Sequence, residues 1–314
     1  NDSIKPILKL EESIDLVLQN KENKTIDSVV YYINEKRVGS VKGNEKLPFA
    51  LKNQKLGNQS IKALVYFESK NIDISTSFSI YASQEPKILN HSIVTTYPHD
   101  INAYTQGFEF YNGVLLEGTG QHKESTLRKT DYKTGKVTEQ IKLDDKYFGE
   151  GITVLKDKIY QLTWKENTGF VYDAKTFKLE KTFSFETEGW GITNDGEKLY
   201  MSDGSEKIYI LDPVTLKVVD YISVYTAGSK IDSINEMEWI NGKIWANVYQ
   251  KDVIAVINPK TGAVENVINC ADLKTKVTQH PEIDYFNGIA YNPSTKTYFV
   301  TGKNWDKTFE IKID

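Results

Sequence analysis

A glutamate between two glycines is the residue of this sequence whose surroundings most suggest chemistry. Glu150 lies in the stretch Tyr-Phe-Gly-Glu-Gly-Ile-Thr, residues 147–153, directly before an apolar run with the character of a β-strand. A positioned carboxyl group can act first as a general base and then as a general acid. The flanking glycines suggest that a substrate approaches the backbone closely here. A turn carboxylate in water is the simpler alternative, and Glu150 alone does not decide between the two.

Composition excludes several other kinds of chemistry. Cys270 is the single cysteine, so neither an intrachain disulfide nor a cysteine-based zinc site can form. With 39 basic and 43 acidic residues the chain lacks the charge of a nucleic-acid-binding protein. No apolar run approaches the ~20 residues that span a membrane. Metal-ligand spacing and the HExxH motif are both missing among the four histidines, which are His91, His99, His122 and His280.

An internal repeat decides the predicted fold. Five segments share a polar or aromatic residue, a small residue, an apolar pair, a tight turn and a second strand. A second hairpin pattern follows most copies, so each repeat predicts a four-stranded sheet. Such sheets, recurring at intervals of about 40–52 residues, predict a five-bladed β-propeller over residues 91–314. The five segments begin at Gln106, Glu150, Trp190, Asn235 and Asn287.

The whole chain is predicted to be all-β, because period-2 alternation of apolar residues is frequent and helical periodicity is nearly absent. Residues 1–84 are predicted to form a small immunoglobulin-like β-sandwich, although the Cys…Trp…Cys hallmark is missing. Residues 85–90 are predicted to be a linker. We expect 91–97 to close the propeller and Thr308–Ile313 to be the outer strand of its last blade. Strand candidates in the N-terminal part include 14–19, 28–33, 37–41, 60–68 and 72–82.

The repeat brings chemically capable residues to one mouth of the predicted channel. The first strand of each propeller blade lines the channel, so the five first positions should ring one mouth, and the second strands return to the same face. A concave aromatic pocket with a few converging polar groups is typical of a ligand site. The alternative is a mouth that is polar only because it is wet. The second strands are expected to add Glu117, Trp164, Asp203, Tyr249 and Lys303.

Other residues are given structural roles. Asp203 is alternatively a turn residue. Packing is expected for Trp239 and Trp245, and contacts between blades are expected for Glu236 and Glu238.

Eight motifs, in this order, closely resemble those of glutaminyl-peptide cyclotransferases of the plant and bacterial type. That family folds as a five-bladed propeller and is unrelated to the zinc-dependent animal enzymes. The resemblance covers roughly residues 91–314 and leaves 1–84 as an added domain. The motifs are AYTQGFEF (103–110), LLEGTGQ (115–121), FGEGIT (148–153), QLTWKENTGFVYD (161–173), EGWGIT (188–193), LYMSDGS (199–205), INEMEWINGKIWANVY (234–249) and VTGKNWDKTFEI (300–311).

The resemblance implies an activity and roles for single residues. An N-terminal glutaminyl residue would become pyroglutamyl with release of ammonia, and Glu150 would be the general acid and base. Tyr249 departs from the plant-like pattern, which has Trp at this position, but stacking should survive. The implied substrate-binding residues are Tyr104, Gln106, Phe148, Trp164, Trp190, Asn235, Tyr249 and Lys303.

The implied chemistry sets expectations for cofactors and partners. The substrate amine is the nucleophile, so no Ser or Cys is needed, and no transition metal is required. A structural calcium or another ion in the channel is compatible with the family. The expected partners are peptides or proteins with N-terminal Gln.

Two alternative functions stay open. A non-catalytic propeller that binds peptide N-termini would keep the tryptophans without needing Glu150. A lactonase-like hydrolase would need a calcium ion held by several carboxylates, for which Glu150, Glu117 and Asp203 are the candidates.

Export to the periplasm or cell envelope, with lipoprotein attachment as one route, is expected by analogy. N-terminal glutamine is a feature of processed secreted proteins. The sequence starts NDSIKP, without Met or an apolar leader, and we expect that a targeting segment has been trimmed.

Overall fold

The protein is all-β. A computed structural model describes residues 4–314, which contain 28 β-strands and the single short helix α1 (Ala271–Lys274). In this part of the chain no helix has the length and apolar character needed to cross a membrane. The prediction of an all-β chain is therefore confirmed.

Two sheets near the N-terminus enclose one apolar core. In β3 the odd positions Val29, Tyr31 and Ile33 are buried, which is the alternation expected of a half-buried strand. The strands are β1 (Ile7–Lys9), β2 (Ser13–Leu16), β3 (Ser28–Ile33), β4 (Lys36–Lys42), β5 (Leu47–Ala50), β6 (Gly57–Phe67) and β7 (Lys70–Tyr81). One sheet has the order β1-β7-β6-β3-β4 and the other pairs β2 with β5. All five strand candidates of this part overlap observed strands.

The core of these two sheets extends into the following part of the chain. Tyr225 is buried in it, and its ring meets Tyr81 edge to face at 4.9 Å. The backbone amide of Leu56 also donates to the carbonyl of Thr261 at 3.2 Å. The N-terminal sheets are therefore packed onto the rest of the molecule by buried contacts.

The segment 85–90, predicted as a linker, contains the short strand β8 (Lys87–Leu89). This strand runs parallel to the outer strand of a later sheet, with Ile88 opposite Val267. Three residues are too few for a periodic pattern, and Ile88 is 67% exposed, so the sequence carries little signal for this strand. The next strand is β9 (His91–Pro98).

Five sheets follow in sequence order, and within each of them consecutive strands are antiparallel neighbours. The first contains β10 (Thr105–Tyr111), β11 (Val114–Thr119), β12 (Thr126–Asp131) and β13 (Lys136–Lys142). The second contains β14 (Gly149–Leu155), β15 (Lys158–Thr163), β16 (Thr168–Asp173) and β17 (Leu179–Ser184). The third contains β18 (Ile192–Asn194), β19 (Leu199–Ser202), β20 (Lys207–Leu211) and β21 (Val218–Ser223).

The last two sheets each take an extra strand from earlier in the chain. The fourth adds β8 to β22 (Ile234–Ile240), β23 (Lys243–Val248), β24 (Val253–Ile257) and β25 (Val264–Asn269). The fifth adds β9 to β26 (Phe286–Asn292), β27 (Thr297–Gly302) and β28 (Lys307–Ile313). Segment 91–97 lies in β9, which adds an edge strand to the fifth sheet, and its closing of a propeller stays a prediction. The predicted outer position of Thr308–Ile313 is wrong, because β9 pairs with β28 and takes the edge.

The first strands of the five sheets contact one another in a closed cycle. Strand β10 contacts β14, β14 contacts β18, β18 contacts β22, β22 contacts β26, and β26 contacts β10. These strands are almost entirely buried, whereas the fourth strands β13 and β17 are mostly exposed. Three predicted site residues, Gln106, Glu150 and Asn235, lie on these first strands.

A buried ion pair lies where the fifth sheet meets the first. The His99 side chain, which is 3% exposed, has its Nδ1 2.7 Å from the carbonyl oxygen of Trp305 and its Nε2 2.9 Å from Oε1 of Glu117. Both ring nitrogens face acceptors, an arrangement that favours the doubly protonated imidazole because each N–H can then donate a hydrogen bond. Burial alone would lower the pKa of His99, but Glu117 and the Trp305 carbonyl outweigh it and raise the pKa above its usual value.

We predict that His99 stabilises the fold in a pH-dependent way. Because its folded-state pKa is raised, its contribution is complete below about pH 6.5, the unfolded value, and is lost as the pH rises through the folded value. The Tm advantage of the wild type over His99→Gln should therefore narrow between about pH 6 and pH 9. Thermal denaturation monitored by circular dichroism measures this difference, and exposed His122→Gln serves as control. An advantage that is constant over this range would contradict a charged His99.

Candidate active site

One pocket brings together all the residues that the sequence singled out for substrate binding and catalysis. Glu150 lies in it with three side chains from other first strands or their starts, namely Gln106, Trp190 and Asn235. The remaining lining residues are Tyr104, Gln121, Phe148, Trp164, Tyr249 and Lys303. The geometry places the predicted residues together; their roles in catalysis stay a prediction.

The sheet register explains why residues far apart in sequence meet here. Trp164, Tyr249 and Lys303 each directly follow the second strand of their sheet, β15, β23 and β27. In an antiparallel hairpin the end of the second strand returns beside the start of the first, as Gly149 opposite Thr163 shows. The hairpins therefore return the residues that follow the second strands to one rim of the pocket.

Packing between sheets explains why the residues on both sides of Glu150 are glycines. A Cβ atom on Gly149 would lie 2.7 Å from the carbonyl oxygen of Thr119 in the first sheet. A Cβ on Gly151 would lie 2.7 Å from the carbonyl oxygen of Trp190 at the start of the third. Both distances are far too short for a side chain. The glycines thus permit close packing of neighbouring sheets around Glu150, and a close approach of substrate to the backbone here stays a prediction.

One carboxyl oxygen of Glu150 is hydrogen-bonded, and the other has no partner in the described part of the chain. Its Oε1 accepts a hydrogen bond of 3.0 Å from Nε2 of Gln106, and the residue is only 4% exposed. Among residues 4–314 no group hydrogen-bonds to its Oε2, which is buried. Asn287 supports this arrangement, because its Nδ2 donates to Oε1 of Gln106 at 3.2 Å. One carboxyl oxygen is therefore oriented while the other is left for a ligand.

The surroundings favour the protonated form of Glu150. Burial raises its pKa well above the usual value, and the negative charges of Glu166 and Glu188 act in the same direction. The charge of Lys303 acts in the opposite direction. A carboxyl group with a raised pKa can hold and release a proton nearer to neutral pH, which suits an acid–base group.

Lys303 is a buried cation between aromatic rings. Its Nζ lies 4.7 Å from the ring centre of Tyr104 and 5.1 Å from that of Tyr249. Burial lowers the pKa of Lys303, although Glu150 and Asp284 act to raise it. Asp284 also accepts a hydrogen bond of 2.9 Å from the Tyr104 hydroxyl group. The ammonium group is thus placed to face a polar group of a ligand in the pocket.

The aromatic rings of the pocket meet edge to face. Phe148 and Trp164 have ring centres 5.5 Å apart, and Trp190 and Tyr249 are also 5.5 Å apart. Both indole N–H groups donate to the same atom, Oε2 of Glu188, at 2.7 and 2.9 Å.

Three residues that the repeat placed at the rim lie outside the pocket lining. Glu117 lies within β11 rather than at its end, and it binds His99 and Thr105. Asp203 accepts hydrogen bonds from Ser205 and Tyr209, so the turn alternative describes it correctly. Asn287 lies behind Gln106 instead of facing the pocket. The carboxylates proposed for a lactonase-like calcium site therefore do not meet at this rim.

The tryptophans and glutamates that were expected to have structural roles make packing contacts or contacts between sheets. Trp245 stacks on Tyr298 with ring centres 4.6 Å apart, and Trp239 packs against Tyr200. Glu236 accepts hydrogen bonds from the backbone amides of Phe108 and Ile289, which belong to the first and fifth sheets. Glu238 likewise accepts from the backbone amide of Tyr291.

Sequence reasoning missed four residues at this site. Gln121 follows β11 closely and lines the pocket where the repeat pattern pointed to Glu117, so correct alignment of the strand ends would have found it. Glu188 stands two residues before Trp190 in a motif that was noticed. Glu166 accepts a hydrogen bond of 3.3 Å from the amide of Phe148. Glu166 lies in the quoted motif 161–173, whereas Asp284 lies in no motif and meets Tyr104 from a distant part of the sequence.

The fold and the pocket define an all-β protein with a buried carboxyl group in an aromatic site. Comparison with known proteins agrees with the resemblance seen in the motifs. The family model described as glutamine cyclotransferase matches residues 65–313. The chain therefore belongs to the glutamine cyclotransferase family, and it is an enzyme of that class. The match starts within β6, ahead of the expected start near residue 91.

Two relatives illustrate the similarity. Glutaminyl-peptide cyclotransferase of Arabidopsis thaliana is 41% identical over 225 residues, which are 70% of this chain and 70% of that protein. The crystal structure of Myxococcus xanthus glutaminyl cyclase matches with a TM-score of 0.69 and 33% identity. It covers 73% of this chain and 99% of its own.

We predict that Lys303→Met raises the pKa of Glu150 further. The variant removes the one positive charge that favours the ionised carboxylate, and an opposite charge nearby typically shifts a carboxyl pKa by about 1 or more. Infrared difference spectroscopy of the free protein during a pH titration measures this, with the Glu150 band assigned by its loss in Glu150→Gln. An unchanged titration in Lys303→Met would show that the two groups do not interact.

Proposed function

We propose that the protein converts N-terminal glutaminyl residues of peptides and proteins into pyroglutamyl residues and releases ammonia. The observation that carries this proposal is Glu150, a buried carboxyl group with one oxygen free inside an aromatic pocket. Membership of the glutamine cyclotransferase family supports the same reaction.

The reaction needs little more than positioning and proton transfer. The substrate α-amine attacks the carbon of its own side-chain amide, so a carbon–nitrogen bond forms and a tetrahedral intermediate results. The amine has to be neutral, and an α-amino group with a pKa of about 7.7–8.0 is partly neutral near pH 7. Glu150 takes a proton from the attacking nitrogen and delivers it to the departing one, which leaves as ammonia.

Polar groups around Glu150 supply binding and electrostatic stabilisation in this proposal. Lys303 donates to the oxygen that becomes negatively charged in the intermediate; losing one such donor typically slows a reaction about 10²–10³-fold. Asn235 is buried and its Oδ1 has no hydrogen-bond partner among the described residues, so it can accept from the substrate amine. Gln106 orients Glu150 through the bond to Oε1.

The aromatic residues confine the substrate. A glutamine side chain is flexible, and cyclisation needs its amide carbon near the amine. Close walls that enforce this shape can contribute several kcal/mol, about the size of known proximity effects. The walls are formed by Tyr104, Phe148, Trp164, Trp190 and Tyr249.

We also propose the finer architecture that the motifs suggested. The closed cycle of contacts among the first strands of five sheets supports a five-bladed propeller over 91–314. The two N-terminal sheets around a common core support an immunoglobulin-like sandwich over 1–84, with 85–90 joining the two. The contacts of Tyr225 and Leu56 imply that these units are firmly attached to each other.

Location and cofactor needs follow from the proposed substrate. Proteins with exposed N-terminal glutamine arise by processing during secretion, so we propose that this enzyme is exported to the periplasm or cell envelope. We further propose that turnover requires no transition metal, because Glu150 and the substrate amine provide the proton carrier and the nucleophile. A structural calcium or another ion in the channel remains compatible with this chemistry.

We predict that Glu150→Gln removes most of the activity. With a synthetic Gln-initiated peptide, wild type should release ammonia and yield a product lighter by one ammonia, followed by mass spectrometry. The variant should be slower by about 10²–10⁴-fold, as for loss of a general acid–base group. The exposed Glu139→Gln is the matched control and should act as wild type. No turnover by wild type, with peptide binding retained, would favour a non-catalytic module that holds peptide N-termini.

We predict that a chelator leaves turnover unchanged. Dialysis of the purified protein against EDTA should not alter the rate of ammonia release at saturating peptide. If the Tm falls while the rate persists, the removed ion is structural. A rate that disappears with EDTA and returns with a divalent cation would contradict the proposed mechanism.

A further inference from the structure

One carboxylate oxygen connects the two tryptophans of the pocket. Oε2 of Glu188 accepts hydrogen bonds from Nε1 of Trp164 at 2.7 Å and from Nε1 of Trp190 at 2.9 Å. Trp164 follows β15 in the second sheet, and Trp190 precedes β18 in the third. Glu188 thus links two walls of the pocket that belong to different sheets.

We propose that Glu188 is a positioning residue, which holds the indole rings of Trp164 and Trp190 in the mutual orientation that confines the substrate's glutaminyl side chain. This inference rests on the proposed cyclase function. It adds to that function a residue that has no direct part in the chemistry and that acts through the two rings.

Other contacts of the indoles do not provide this link. Phe148 contacts Trp164, and Tyr249 contacts Trp190, both edge to face. Each of these rings contacts one of the two indoles and therefore does not connect them. An indole N–H is a donor only, so a shared acceptor is the simplest way to couple the two rings. Hydrogen bonds to a charged acceptor are also stronger than neutral ones.

The other carboxylate oxygen of Glu188 faces a lysine side chain. Its Oε1 lies 3.8 Å from Nζ of Lys165, and that Nζ lies 4.0 Å from the ring centre of Trp164. The Glu188 side chain is 39% exposed, so the ion pair is weak and screened. The indole bonds are therefore the contacts that define the position of the carboxylate within the pocket rim.

The negative charge of Glu188 also influences the pKa of Glu150 inside the pocket. It raises the pKa of Glu150, as does Glu166, while Lys303 lowers it. Of the other titratable groups near Glu150, Tyr104 and Tyr249 are neutral at the pH of interest. Replacing Glu188 with glutamine should keep an acceptor for the indoles while removing this charge, which separates the two effects.

Three variants test the proposal on the full-length protein. Glu188→Ala removes acceptor and charge, Glu188→Gln removes only the charge, and exposed Glu186→Gln two residues earlier is the control. We expect kcat/KM for a Gln-initiated peptide to fall about 10–100-fold in Glu188→Ala, since small misplacements of binding groups have effects of this size. Glu188→Gln should restore activity to within about 10-fold of wild type, with the acid limb of its kcat/KM profile moved to lower pH.

A second measurement does not depend on turnover. Near-ultraviolet circular dichroism reports the fixed environment of tryptophan rings, and its signal should change in Glu188→Ala but not in Glu188→Gln or Glu186→Gln. Far-ultraviolet spectra and Tm values confirm that each variant is folded. If Glu188→Ala retains both the wild-type spectrum and kcat/KM within about two-fold, the proposal is overturned. If Glu188→Ala does not fold, the pH profile and the near-ultraviolet spectrum of Glu188→Gln decide whether the proposal stands.

The test also separates this inference from the proposed function. If wild type itself does not turn over the peptide, the cyclase proposal fails, whereas the near-ultraviolet spectra still show whether Glu188 orders the indoles. If wild type is active and Glu188→Ala is equally active, only the role of Glu188 is rejected.

Discussion

The site depends on burying the Glu150 carboxyl group without satisfying both of its oxygens. Burial raises the pKa of this group, and a single hydrogen bond from Gln106 orients it. An unpaired buried carboxylate is unfavourable, so the protein has to keep it protonated or offer it a partner. Lys303 provides a nearby positive charge but is itself buried, so both groups are shifted toward their uncharged forms. Burial therefore favours a protonated Glu150 and a neutral Lys303, and each charge partly offsets this effect on the other group.

This arrangement is possible because five sheets meet closely around one axis. Gly149 and Gly151 let the strand that carries Glu150 approach the sheets on either side, at distances that no side chain would allow. Strand β26 closes the cycle against β10, and the His99–Glu117 pair lies at the junction between the last and first sheets. A carboxyl group placed on such tightly packed strands has little freedom to reorient or to reach bulk water.

The pocket rim and the pocket floor are built from different parts of the sheets. The floor consists of side chains on the first strands, whose positions are set by sheet packing. The rim consists of aromatic residues that follow second strands or precede first strands, and these are held by edge-to-face contacts and by Glu188. Tyr249 stands at this rim, where the plant-like pattern has Trp, and it retains an aromatic contact with Trp190.

The sequence by itself determined the all-β class, the five repeats and nine of the ten residues that line the pocket, because period-2 alternation and recognisable motifs are local signals. It also predicted β3 to the residue, since alternating apolar residues mark a half-buried strand. Only the tertiary structure decided that β9 takes the edge beside β28, that Glu117 serves a buried ion pair, and that Glu188 joins two tryptophans. These features depend on which distant groups meet across sheets, and pairings of that kind leave no periodic trace in the chain.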